Sequence, residues 1–206
     1  MHSSSKHLVV LSGNVGVGKS TLGPHLAREL NAIWLSESDI SRSFAYLFKD
    51  QSRDSRIISQ IAFASVRMAT IFSAFMSGAT TVVAERSLPD SRIFHQVWRK
   101  RFQIETEDQF FDRLYSLLDR TPVDFRTSVV WLRCPVDTIV KRLNIRQEAF
   151  ESVHTREVLD ELDRGHRDHF ATYPPDLVLE MENVGASDSS MVLLAQFAAQ
   201  SVSKAG

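Results

Sequence analysis

The sequence predicts an α/β fold: a five-stranded parallel sheet with helices packed on both faces. Three observations carry this. Segments with strand character alternate with segments of helical spacing. The strand candidates are short continuous apolar runs, as strands covered on both faces require, and not polar–apolar alternations. A glycine-rich loop, GNVGVGKST (13–21), joins the first strand to the first helix.

Taken in order, HLVVLS (7–12) is apolar and β-branched and reads as a buried strand. After the loop, Leu22, Leu26 and Leu30 recur at helical spacing in KSTLGPHLAREL, with Pro24 in the first turns, where a missing N–H matters little. AIWL (32–35) is the second strand. SESDISRSFAYLFKD reads as a turn leading into a helix. Residues 55–78 form one long helix, apolar around much of its circumference and ended by Gly78. TTVVAE (80–85) is the third strand, followed by helices in LPDSRIFHQVWRKR and EDQFFDRLYSLLDR. SVVWLR (128–133) is the fourth strand. PVDTIVKRLNIR opens with proline at a first helical position. HTREVLDELDRGHRDHF is a further helix, DLVLEME (176–182) the fifth strand, and the end reads as helical.

The chain of 206 residues suits one domain, 1–206, and can bury a sizeable core. Hydrophobic residues make up 43% and charged residues 24%, an ordinary globular composition. A net charge of -1 gives no global attraction for nucleic acid or an acidic membrane, and neither is expected as a partner. LVVL is too short for a signal peptide or a membrane span. Cys134 is the single cysteine, so no intrachain disulfide forms and a reducing, cytoplasmic setting is expected.

Gly13-x-x-x-x-Gly18-Lys19-Ser20 fits the phosphate-binding pattern GxxxxGK[ST]. The backbone N–H groups of Gly13, Asn14, Val15, Gly16, Val17 and Gly18, with Lys19, Ser20 and Thr21 opening the helix, would cradle phosphate oxygens. Lys19 would reach the outer phosphates of ATP, and Ser20 would ligate Mg²⁺. A glycine turn that binds nothing is the alternative, and the strand-loop-helix context argues against it.

Ligands of such sheets sit beyond the carboxyl ends of the strands. Leu35-Ser36-Glu37 ends the second strand; Glu85-Arg86-Ser87 ends the third. Glu37, Glu85 and Arg86 are therefore expected at the loop. Glu37 can accept a hydroxyl proton, or it caps a helix starting near Asp39. Arg86 can hold the reacting oxygen and phosphoryl group, and Glu85 can place Mg²⁺ through its waters. A structural Glu85–Arg86 ion pair is the alternative. Arg142 and Arg146, four apart, share a helix face and would clamp transition-state charge, or are solvated surface charges. Gln60 and Arg67, seven apart with Phe63 between them, face one way on the long helix. The amide could read a base while the ring stacks on it; plain helix packing is the alternative.

On these residues the chain resembles the deoxynucleoside kinase family, with its GNxGxGKS/T loop, its glutamate segment after strand two, its ERS motif after strand three and its arginine-bearing lid. The resemblance spans about residues 8 to 170. It implies a P-loop kinase fold, with the lid near 142–153. The activity it implies is ATP- and Mg²⁺-dependent phosphorylation of a nucleoside or deoxynucleoside 5′-hydroxyl, with Glu37 as base and Gln60 and Arg67 in the acceptor pocket. It further implies that Glu151 binds the sugar 3′-hydroxyl, and it favours a homodimer.

The chain departs from the family pattern at four positions. Glu148 stands where a further lid arginine is usual, and Phe48 where a tyrosine is. Arg42 replaces a common tryptophan, and His95 a base-stacking phenylalanine. Tyr46 could substitute for the missing tyrosine. These departures leave room for an unusual nucleoside or another hydroxyl-bearing small molecule as acceptor. A nucleotide-binding protein without catalysis is the further alternative. The histidines 154, 166 and 169 lie on a charged helix and are not read as a zinc site.

Overall fold

The computed structural model describes residues 6–44, 46–47, 50, 52–120, 122–146, 154–182, 194, 196–197 and 200. Five strands form one parallel sheet: β1 (Lys6–Gly13), β2 (Ile33–Leu35), β3 (Thr81–Glu85), β4 (Phe125–Arg133) and β5 (Val178–Glu182). Their order is β2-β3-β1-β4-β5, so β1 lies at the centre. The sheet is flanked by the helices α1 (Lys19–Glu29), α2 (Glu37–Ser43), α3 (Arg53–Met76), α4 (Leu88–Arg101), α5 (Asp108–Leu118), α6 (Val136–Arg146) and α7 (Arg156–Phe170), with a 3-10 turn at Glu105–Glu107 leading into α5.

The continuous apolar strands divide their side chains between two cores. Leu8 and Val10 of β1, Val82 and Ala84 of β3, and Val129 and Trp131 of β4 face one side, against Met68, Ile71 and Phe75 of α3 and Phe111 of α5. The residues between them, Val9, Leu11, Val83, Val130 and Leu132, face the other side with Leu22 and Leu26 of α1 and Ile139 and Leu143 of α6. A strand period of two with apolar residues at every position therefore gives a three-layer fold. A smaller cluster, with Ile93, Val97, Trp98, Val158 and Leu162, joins α4 to α7.

α3 is long and apolar enough to cross a membrane by length and composition alone. Here its buried face, which includes Arg56, Gln60 and Arg67, packs on the sheet and its neighbouring helices. Phe75 stacks on Phe125 with centroids 5.0 Å apart, so it belongs to the core.

Some local expectations are corrected. β4 starts at Phe125, earlier than the apolar run suggests, because its first residues pair with Lys6 and His7 at the start of β1. The segment after β2 contains no leading turn: Ser36 caps α2, accepting from the Ser38 N–H, and the helix starts at Glu37. Pro24 is the sixth residue of α1, past the free N–H groups of the first turn, so it removes the helical bond to the Ser20 carbonyl. Most of the C-terminal segment expected to be helical lies outside the described residues, as do Phe48, Lys49, Glu148 and Glu151 and the lid from 147 to 153.

Candidate active site

The phosphate loop leaves the centre of the sheet at Gly13 and ends at Gly18, which caps α1 with φ 97°. Side-chain hydrogen bonds fix it. Asn14 Nδ2 donates to the Leu159 carbonyl of α7 at 2.7 Å, and Asn14 Oδ1 accepts from the Val15 N–H at 2.9 Å. Lys19 is buried and folded back, donating to the carbonyls of Gly13 at 3.0 Å and Asn14 at 2.7 Å. Burial, with Arg86 close by, pushes its ammonium down to about 7, against the pull of Glu85. Ser20 and Thr21 are exposed at the mouth of the loop. Arg142 of α6 is half-buried and reaches back to donate to the Gly16 carbonyl at 3.2 Å. Arg146, one turn on, is exposed, and its charge acts on Lys19 and Glu85.

The carboxyl ends of β2 and β3 bring Glu37, Glu85 and Arg86 together. Glu37 is 8% exposed in the first turn of α2, and Ser36, not Glu37, is that helix's cap. Its Oε1 accepts from Arg67 Nη2 and its Oε2 from Arg86 Nη1. Its backbone N–H donates to Glu85 Oε2 at 3.2 Å. Arg86 thus pairs with Glu37. It adopts φ 68°, its N–H bonds to the Leu11 carbonyl at 3.0 Å, and its guanidinium lies 4.6 Å over Phe94. Burial lowers Arg86 to about 10 and raises Glu85, whose shift Lys19, Arg67 and Arg146 oppose.

Gln60 and Arg67 are both buried on α3, and Arg67 lies 5.8 Å over the Phe63 ring, which in turn is 6.4 Å from Phe44. Arg67 Nη1 also donates to Ser91 Oγ. A cavity of about 230 Å³ opens between α2 and α3, lined by Trp34, Ile40, Val66 and Ile71, with Asp39, Arg67 and Glu85 as its charged groups.

Other positions have structural partners. His95 is buried, its ring 4.1 Å from that of Phe111 and its Nε2 3.1 Å from Asp108 Oδ1. Arg42 is on the surface of α2 beside Asp39, and Tyr46 is 64% exposed. His166 lies in the core despite the charged sequence around it.

The sequence reading missed what holds the site from behind. Asp90, fully buried at the third position of α4, accepts from Ser12 Oγ at 2.6 Å and from the Ser87 N–H at 3.0 Å. His166 Nε2 lies 3.4 Å from the same carboxylate. Burial raises Asp90, but His166, Arg86 and Ser12 together hold it well below the usual carboxylate range. The available signal was Ser87-x-x-Asp90, a capping-box pattern. Ser12, Asp90 and His166 have the residue types of a hydrolytic triad. However, the hydroxyl is bonded to the carboxylate and all three are sealed from solvent, so they form a brace.

A family model described as deoxynucleoside kinase matches residues 9–199, nearly the whole chain. The chain belongs to the deoxynucleoside kinase family. As a member it is a phosphotransferase acting on a hydroxyl acceptor, a nucleoside kinase. No curated protein sequence matches significantly. Solved structures of the deoxyadenosine kinase of M. mycoides share the fold. With the products dCMP and a flexible dCDP bound, that enzyme gives a TM-score of 0.75 at 18% identity, covering 92% of this chain and 97% of that one. With dCTP bound the TM-score is 0.75 at 18% identity, over 94% and 99%. With dATP bound it is 0.73 at 18% identity, over 92% and 97%.

Among the described residues of this deoxynucleoside kinase, no group of three or more His, Cys, Asp or Glu could hold a metal by itself. The donors that remain, Ser20 Oγ at the loop mouth and the Glu85 carboxylate, fit Mg²⁺. That ion takes few protein ligands and completes its shell with water and substrate phosphates.

Proposed function

We propose that this chain transfers the γ-phosphoryl group of ATP to the 5′-hydroxyl of a nucleoside or deoxynucleoside, giving the 5′-monophosphate. One observation carries the reading. Glu37, a buried carboxylate, and Arg86, a buried cation, are in direct contact beside Glu85 and the Lys19 of the phosphate loop. A base, a charge clamp and a phosphate anchor are what phosphoryl transfer requires, since catalysis there is positioning and electrostatics.

Glu37 takes the proton of the 5′-hydroxyl, whose oxygen forms a bond to the γ-phosphorus. The bond to the β–γ bridging oxygen breaks, and ADP leaves with that electron pair. Arg86 holds the attacking oxygen and the moving phosphoryl group. Lys19 exchanges its two backbone carbonyls for outer phosphate oxygens. Arg142 and Arg146 neutralise charge from the lid side. Mg²⁺, held by Ser20 and through water by Glu85, would neutralise the β- and γ-phosphates.

Gln60 and Phe63 hold the base, and Glu151 holds the sugar 3′-hydroxyl. The nucleotides bound by the M. mycoides enzyme support a nucleotide-sized site. We extend the reading to a single domain over 1–206 with a lid near 142–153, to a cytoplasmic homodimer, and to no nucleic-acid or membrane partner. The exposed Met76, Phe110 and Leu117 supply apolar surface for the dimer.

The test is phosphoryl transfer from ATP·Mg²⁺ to a panel of ribo- and deoxyribonucleosides, read by product mass, with Glu37→Gln as control. A monophosphate lost in the control supports the reading. ATP binding without transfer to any nucleoside would overturn it in favour of a different hydroxyl compound or a non-catalytic nucleotide-binding protein.

A further inference from the structure

The Arg86 guanidinium is held on its edge and on its face by different groups. Along the edge, Nη1 donates to Glu37 Oε2. On the face, its Cζ lies 4.6 Å from the centre of the Phe94 ring. The Nε–H is buried and has no hydrogen-bond partner, in a residue only 7% exposed. A sealed donor without an acceptor calls for a ligand atom, and an anionic phosphoryl oxygen is the acceptor that this site's chemistry supplies. The ring under the guanidinium is itself held. Phe94 stands one turn beyond Asp90 on α4, half-buried against Ile93, Trp98, Val158 and Leu162. His166 of α7 meets it edge-on, at 87° with ring centroids 6.4 Å apart. α7 comes this close because Gly165 carries no side chain: an added Cβ would stand 2.9 Å from Ile93 Cγ2.

The two contacts fare differently once an acceptor binds. Glu37 turns to the acceptor hydroxyl, and Arg86 to the attacking oxygen and the phosphoryl group. The edge contact therefore loosens at the moment when Arg86 must be aimed. The face contact persists, because an aromatic ring attracts a cation without occupying any of its N–H donors. The nearby carboxylate of Asp90 does not take them either, since it is engaged by Ser12, the Ser87 N–H and His166. We propose that Phe94 is a positioning residue for phosphoryl transfer: its ring face fixes the plane of the Arg86 guanidinium and leaves the edge donors, Nε–H among them, for the reacting oxygens. This rests on the nucleoside kinase reading above. Because Arg86 does most when charge moves onto the transferring group, the ring acts on kcat more than on KM.

The experiment measures kcat and KM for ATP and for a nucleoside in the wild type, Phe94→Leu and Phe94→Tyr. It adds a series with phenylalanine at position 94 carrying one, two or three ring fluorines, which keep the ring's shape and weaken its negative face. Phe94→Leu lowers kcat about tenfold and leaves both KM values within about threefold. Phe94→Tyr keeps the face and returns kcat to within about threefold of the wild type. In the fluorinated series kcat falls with each fluorine, which a purely packing role would not produce. Should Phe94→Leu fail to fold, that series decides. An unchanged kcat in Phe94→Leu, a change in KM alone, a loss that Phe94→Tyr does not restore, or a kcat indifferent to fluorination overturns the proposal and leaves the nucleoside kinase intact. A wild type that phosphorylates no nucleoside removes both readings together.

Discussion

Ser12 Oγ donates to Asp90 Oδ1 at 2.6 Å although 78 residues separate them in the chain. The contact ties the end of β1, one residue before the phosphate loop, to the first turn of α4, four residues after Arg86. His166 of α7 closes the same carboxylate from a third element. The loop that would hold phosphate and the arginine that would hold the reacting oxygen are thereby fixed to one buried group.

Removing that group leaves the Ser12 hydroxyl, the Ser87 N–H and the His166 ring without their common acceptor in a sealed interior. Asp90→Ala is expected to lower stability by about 3–5 kcal/mol, the range for breaking a buried charged network. Asp90→Asn, which keeps an oxygen acceptor, should cost less. Urea unfolding of both variants checks this. Equal midpoints for Asp90→Ala and the wild type would mean the brace contributes nothing.

That brace was not legible in the sequence, whereas the loop, the five strands and the acidic and basic residues at the strand ends were. The difference is one of range. A phosphate loop and a buried strand are patterns within a few residues of each other. Ser12–Asp90 and Asp90–His166 span 78 and 76 residues, and only the tertiary fold makes them. His166 misleads for a related reason: its neighbours in sequence are charged, but it lies on the face of α7 that Leu159, Leu162 and Phe170 bury. Glu37 and Arg86 were each readable as strand-end residues, but that they hold each other was not. A Glu85–Arg86 ion pair was the alternative reading, whereas the structure gives Arg86 to Glu37.

Acid should weaken the fold through its buried histidines. Burial lowers the pKa of His7, His95 and His169; Arg126 adds to the effect at His7, while Asp108 and Asp90 oppose it at His95 and His169 respectively. A depressed histidine binds its proton more readily in the unfolded chain. The stability it supports is therefore present above about pH 6.5, the unfolded value, and lost as pH falls through the folded value. The thermal midpoint is expected to fall between pH 7 and pH 5. His7→Gln, which keeps a side-chain amide near Ser128, should flatten part of that slope. A midpoint independent of pH over this range would contradict the burial argument.

Two glycines with positive φ separate the demands of the phosphate loop from those of an ordinary helix end. Gly13 has φ 125°, and a Cβ added there would stand 2.2 Å from the Leu132 carbonyl oxygen of β4. Neither strand can yield, since both are central and paired along their length. Gly78 follows α3 with φ 98°, and an added Cβ would meet nothing within 4 Å. Gly78→Ala therefore carries backbone strain only, about 1–2 kcal/mol. Gly13→Ala carries strain and a backbone collision, and should exceed that by at least about 2 kcal/mol. It should also displace Asn14 and the carbonyls that hold Lys19, so ATP binding fails in Gly13→Ala and survives in Gly78→Ala. Calorimetric unfolding and ATP titration of both variants read the two effects separately. If the two proteins lose stability equally, the contact between Gly13 and Leu132 is not the constraint that fixes the loop.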